Sequence, residues 1–182
     1  MIGRAAVFIL AAGIPVFAAQ GSYVSICLDD TADVHLASLS FAERKASAIY
    51  SGIGVRLRWQ DGGGCRDSTD LVRITITSLA PRDAPPGAMA YAYPYERKHV
   101  LVIYDRVRRL ECDCRQNPAL GYVLAHEIAH ILQGINRHSE SGILKAHWGR
   151  ADYEAMLDGS LRFTPEDISL IHLGLNAMLA RR

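Results

Sequence analysis

The sequence predicts an α+β domain in which a mixed β-sheet packs against helices. Three observations carry that reading. Two runs alternate apolar and polar residues, Val55, Leu57 and Trp59 and then Val72, Ile74 and Ile76, which is the period of a strand with one buried face. Val100 to Tyr104 is continuously apolar, as in a strand covered on both sides. Helical segments with start and stop signals stand between and after these runs, in the order strand, helix, several strands, helix, loops, helix.

Each element has its own local reason. Tyr23 to Leu28 is rich in strand formers. Ser40 with Glu43 three residues on forms a capping box, and Ala42, Ala46, Ile49 and Tyr50 share a face of the helix that follows, ending near Gly52. Gly87 to Tyr95 holds small residues and tyrosines between Pro85, Pro86 and Pro94, which suits an edge strand. Asn117 and Pro118 supply a cap and a first helical residue, and Gly134 a stop. Thr164, Pro165, Glu166 and Asp167 open a last helix with the stripe Ile168, Ile171, Leu175 and Met178.

The chain has 182 residues, 49% of them hydrophobic, with 20 Lys+Arg against 19 Asp+Glu. That length and composition fit one globular domain with a real core and exclude a disordered, collagenous or coiled-coil protein. A balance of +1 lacks the basic excess that neutralises phosphates, so nucleic acid is not an expected partner. Nothing in the sequence specifies an oligomeric state.

Residues 1–18 read as a signal peptide: one charge, Arg4, then an apolar run from Ala5 to Phe17, with Val16 and Ala18 at the positions that must be small. The run is broken by Gly13 and Pro15 and falls short of the roughly 20 residues a membrane span needs, so no stable membrane insertion is expected once it is removed. Residues 19–182 then form the mature domain in a secreted or periplasmic setting. The four cysteines, Cys27, Cys65, Cys112 and Cys114, are an even set in an exported chain and predict two disulfides. Cys112 and Cys114 are too close in sequence to bridge each other without strain, so each is expected to pair with Cys27 or Cys65. A four-thiolate zinc site is the alternative, although two CxxC knuckles are lacking.

The chemistry is concentrated in the string HEIAH, residues 126–130. On a helix, His126 and His130 project one turn apart from the same face, so both imidazoles can reach one ion, and zinc suits neutral nitrogen ligands. Glu127 lies beside that face, placed to take a proton from water as a general base. Apart from the histidines, Glu127 is the only charged residue from Ala119 to Ile135, so the helix reads as buried, where unpartnered polar groups are costly. For the third ligand His138 is favoured, because Gly134 allows a turn out of the helix; Glu140, His147 and Glu154 compete. Tyr153 and His147 are candidate oxyanion donors. The mixed cluster Arg106, Arg108, Arg109, Arg115, Asp105, Glu111 and Asp113 reads as local ion pairs.

HEIAH followed by a glycine and a third histidine resembles the zincin superfamily of zinc metallopeptidases, nearest in plan to the metzincins. LAHEIAHILQGINRHSESGILKAHW, residues 124–148, is similar to a group of uncharacterised bacterial proteins predicted to be exported metallopeptidases. Weaker similarity covers GIGVRLRWQDGGGC (52–65), VLVIYDRV (100–107) and LRFTPEDISLI (161–171). The resemblance implies a zincin-like fold with an HExxH helix, zinc held by His126, His130 and His138, Glu127 as general base, and a peptide or protein substrate extended along the edge strand near Ala88 to Tyr93.

The metzincin pattern places its glycine three and its last histidine six residues after the second histidine; here the intervals are four and eight. Gly142, Ile143 and Leu144 stand where the related sequences have Gly-Ile-Met, and Leu144 can fill the space of a methionine. Two other readings stay open at this level: a noncatalytic secreted binding module retaining a structural zinc site, and a metal-free structural protein. Export with cleavage after Ala18 predicts that protein recovered from a secreting host begins at Ala19 on N-terminal sequencing; an intact Met1 would contradict it.

Overall fold

A computed structural model describes residues 23–61, 65, 71–82, 84–93, 95–96, 98–110 and 117–180. The signal-peptide reading of residues 1–18, and Cys112 and Cys114, lie outside the described residues. A five-stranded sheet runs in the order β2-β1-β3-β5-β4, built from β1 (Tyr23–Asp30), β2 (Arg56–Asp61), β3 (Leu71–Thr77), β4 (Ala90–Ala92) and β5 (His99–Ile103). The first four in that order are parallel, and β4 pairs antiparallel with β5 at the edge.

Register puts Val24, Ile26 and Leu28 level with Leu57, Trp59, Val72, Ile74 and Ile76, and then with Val100 and Val102, so these side chains share one face. That face is the core. Against it pack α1 (Leu36–Ser51), α3 (Ala119–Gln133) and α5 (Pro165–Leu179); α2 (Tyr104–Val107), followed by a 3₁₀ turn at Arg108–Leu110, and α4 (Arg150–Leu157) are short connectors. All fifteen residues of α3 are buried, as its lack of charge predicts. Tyr50 of α1 donates its phenol to the Ala125 carbonyl of α3 at 2.9 Å. On the other flank Gly174 of α5 sits so close to α3 that a Cβ there would lie 1.9 Å from the Leu132 carbonyl oxygen.

The structure departs from the sequence reading in three places. First, α1 begins at Leu36, with the His35 ring accepting from the Ala37 amide at 3.2 Å, so Ser40 and Glu43 are interior to the helix. The earlier start follows from a turn that Asp30 builds by accepting the amides of Ala32 and Val34. Second, α4 occupies a stretch read as loop; it is short, and only Met156 is buried, so its periodic signal is weak.

Third, Cys27 is bonded to Cys65, with Cα atoms 5.7 Å apart, so neither can pair with Cys112 or Cys114 as expected. Parallel pairing of β1 with β2 explains this. Cys27 lies opposite Gln60, and the Cys65 sulfur is 3.7 Å from the Gln60 carbonyl, which brings the two cysteines together across neighbouring strands.

Candidate metal centre

The geometry starts with the ends of α3. Asn117 accepts the Ala119 amide at 2.8 Å at one end, and Gly134, at φ 70°, takes the left-handed conformation that terminates the other. Between them His126 and His130 stand one turn apart, with their Nε2 atoms 3.0 Å from each other. The chain leaving Gly134 then returns His138 to the same place. The ring centroids are 4.8 Å (126–130), 5.3 Å (126–138) and 4.8 Å (130–138) apart, and one ligand atom from each histidine lies within 4.8 Å of the others.

Tautomers follow from the partners. His126 Nδ1 is 2.7 Å from the Ile143 carbonyl oxygen and His130 Nδ1 is 3.3 Å from that of Ile135. A carbonyl only accepts, so both Nδ1 atoms carry hydrogen and both Nε2 atoms present lone pairs. Burial pushes the His126 pKa down to about 3, with His130 adding to the effect, and burial together with His138 takes His130 to about 4. His138 is lowered by burial and by His147. Two bare lone pairs 3.0 Å apart repel unless a cation stands between them, and imidazole nitrogens sharing a tetrahedral zinc sit about 3.3 Å apart. The donor set fits zinc, with backbone carbonyls orienting two of the rings from behind.

Of the competing ligands, Glu140 is exposed and Glu154 is paired with Arg150 at 2.9 Å; among the described residues only the three histidines form a metal-competent group. The longer intervals after His130 therefore still return a histidine to the site. The loop that supports His126 is tight: Ser139 donates to the Leu144 carbonyl at 2.8 Å, and Ile143 donates to that of Arg162 at 2.9 Å. Gly142 has φ 78°, and a Cβ there would meet the Arg162 oxygen at 2.4 Å. Leu144 is fully buried beneath this loop.

Glu127 is 6% exposed, and burial raises its pKa to about 8 against the opposing pull of an N–H donated by Ala92. That bond reveals the orientation of β4. Tyr93 donates to His99 and Ile103 donates to Met89, so the backbone of Met89, Tyr91 and Tyr93 faces β5 while that of Ala90 and Ala92 faces away. A cleft of about 900 Å³ opens along this free edge, and its walls include Glu127, the three histidines, His147 and Tyr153. Trp148, unremarked in the sequence reading, stands edge-on to His126 with centroids 5.5 Å apart. The sequence reading also missed the contacts that Arg137 and Ser139 make with Asp167. A charged residue, Arg137, beside a candidate ligand is the signal that could have found them.

Archaemetzincin from Methanopyrus kandleri superposes with a TM-score of 0.59 at 16% identity, covering 86% of this chain and 98% of that one. The fold is zincin-like. No protein-family model and no curated protein matches the chain. A zincin-like fold is thus combined here with a His126, His130 and His138 cluster that fits a zincin site.

Opposed pKa shifts set a pH profile for the metal-free protein. His126 and His130 are depressed from 6.5, so below that value the unfolded chain binds more protons and stability rises with pH up to about 6.5. Glu127 is raised from 4.5 to about 8, so the folded chain holds its proton more tightly and that contribution is lost as pH climbs between the two values. The depressed histidines, His138 among them, outweigh Glu127 below 6.5, and Glu127 dominates above it. Denaturant unfolding in chelator should therefore show greatest stability near pH 6.5, and Glu127→Gln should flatten the alkaline limb; an unchanged limb would refute the assignment.

Proposed function

We propose that the chain is an exported zinc-dependent peptidase whose mature domain spans residues 19–182 and whose first 18 residues are a signal peptide. The observation that carries this reading is the convergence of three imidazoles with a buried carboxylate beside them, at the free edge of a strand. His126, His130 and His138 hold the zinc. When bound, zinc supplies Lewis acidity, which makes a coordinated water acidic and polarises a carbonyl.

The remaining work falls to the chain itself. Glu127 takes a proton from the attacking water and delivers it to the leaving amine nitrogen, and its buried setting keeps its proton affinity near the working pH. A peptide or protein substrate lies extended along β4, bonded to the outward N–H and C=O of Ala90; the Ala92 amide is already engaged by Glu127. Tyr153 and His147, on the cleft wall, are the candidate donors to the developing oxyanion. The disulfide between Cys27 and Cys65 supports an oxidising compartment, secreted or periplasmic. Among the described residues no helix is long and apolar enough to cross a membrane.

Digestion of casein or a peptide library, with and without chelator, tests the reading: cleavage should be chelator-sensitive. Glu127→Gln should retain its zinc while losing activity by about 10²–10⁴-fold. Wild-type activity in that variant would reject the mechanism, and chelator-insensitive inactivity of the zinc-loaded wild type would favour a noncatalytic module.

A further inference from the structure

Asp167 is the one carboxylate in the described core that the chemistry above leaves unused. Its side chain is 0% exposed, and it sits three residues after the N-cap of α5. A capping residue at that position needs one acceptor. Oδ2 meets that need, taking the Thr164 amide at 3.0 Å, while the Thr164 hydroxyl accepts the Asp167 amide in return at 3.1 Å.

The second oxygen reaches elsewhere. Oδ1 accepts Nη1 of Arg137 at 3.0 Å and the hydroxyl of Ser139 at 2.5 Å. Arg137 also donates to Ser139 Oγ at 3.1 Å and to Glu166, which closes the network. Arg137 and Ser139 are the residues on either side of His138.

His138 is the ligand that needs such help. It lies on a loop and is exposed, whereas His126 and His130 are buried on a helix. Each of those two has its Nδ1 bonded to a backbone carbonyl; among the described residues the His138 ring has no hydrogen-bond partner. We infer that Asp167 is the positioning residue for the third zinc ligand, fixing the backbone of His138 through both of its sequence neighbours; the inference rests on the zinc reading of the site. Loss of a group bonded directly to a ligand lowers metal affinity by about 10–100-fold, which is the upper bound for a network that holds the ligand through its sequence neighbours.

The test is zinc affinity of the purified full chain by chelator competition, measured beside thermal unfolding of the zinc-free form. Asp167→Ala and the milder Ser139→Ala should each weaken zinc binding, by about 10-fold for the first and less for the second. Ile26→Ala, in β1 three strands from the cluster's edge strand, serves as a control that lowers stability without touching the loop. It should leave zinc affinity unchanged. Should Asp167→Ala fail to fold, Ser139→Ala carries the test alone. Wild-type affinity in both variants, or an equal loss in Ile26→Ala, overturns the positioning role. Absence of zinc binding by the wild type instead overturns the zinc reading and the inference with it.

Discussion

Everything around the site follows from two imidazole lone pairs held face to face inside a buried helix. Unpaired buried polar groups cost about 1–3 kcal/mol each, and α3 buries His126, Glu127 and His130 together. Their Nδ1 atoms are satisfied by backbone carbonyls, which leaves the Nε2 atoms 3.0 Å apart with no hydrogen to share. A cation placed between the two nitrogens relieves that repulsion and supplies what the protein withholds. Burial makes the imidazoles neutral, and a neutral imidazole is the form that can bind a metal.

The rest of the architecture opens that pair onto a cleft. Parallel strands β2, β1, β3 and β5 make a covered platform for the helices, and the antiparallel β4 closes one end with a free edge. Because α3 crosses beneath that edge, the Ala92 amide can reach Glu127, tying that buried carboxyl to the strand whose outer edge is free. Gly134 and Gly142 bend the chain where an L side chain is strained or would strike backbone, and so deliver His138 and the Ile143 carbonyl to the cluster.

How much of this the sequence disclosed depended on whether the signal was local. Four of the strands and the three long helices were legible because period, caps and prolines are written in neighbouring residues; β4 was readable as an edge from the prolines around it. HEIAH was legible because spacing on a helix dictates side-chain direction. The disulfide partner of Cys27 was not, since it depends on which strands lie side by side, and sequence separation says nothing about that. Asp167 was read only as part of a helix start; its second oxygen contacts residues about thirty positions away. The short α4 escaped because it buries a single residue, Met156, and leaves little periodic trace.

The most direct test of the account is metal stoichiometry of the purified wild-type chain beside His138→Ala, by elemental analysis after dialysis against metal-free buffer. Convergence of three imidazoles predicts one zinc per wild-type chain and a sharply reduced content in the variant. A wild-type chain without zinc, or a variant that retains a full equivalent, would contradict it.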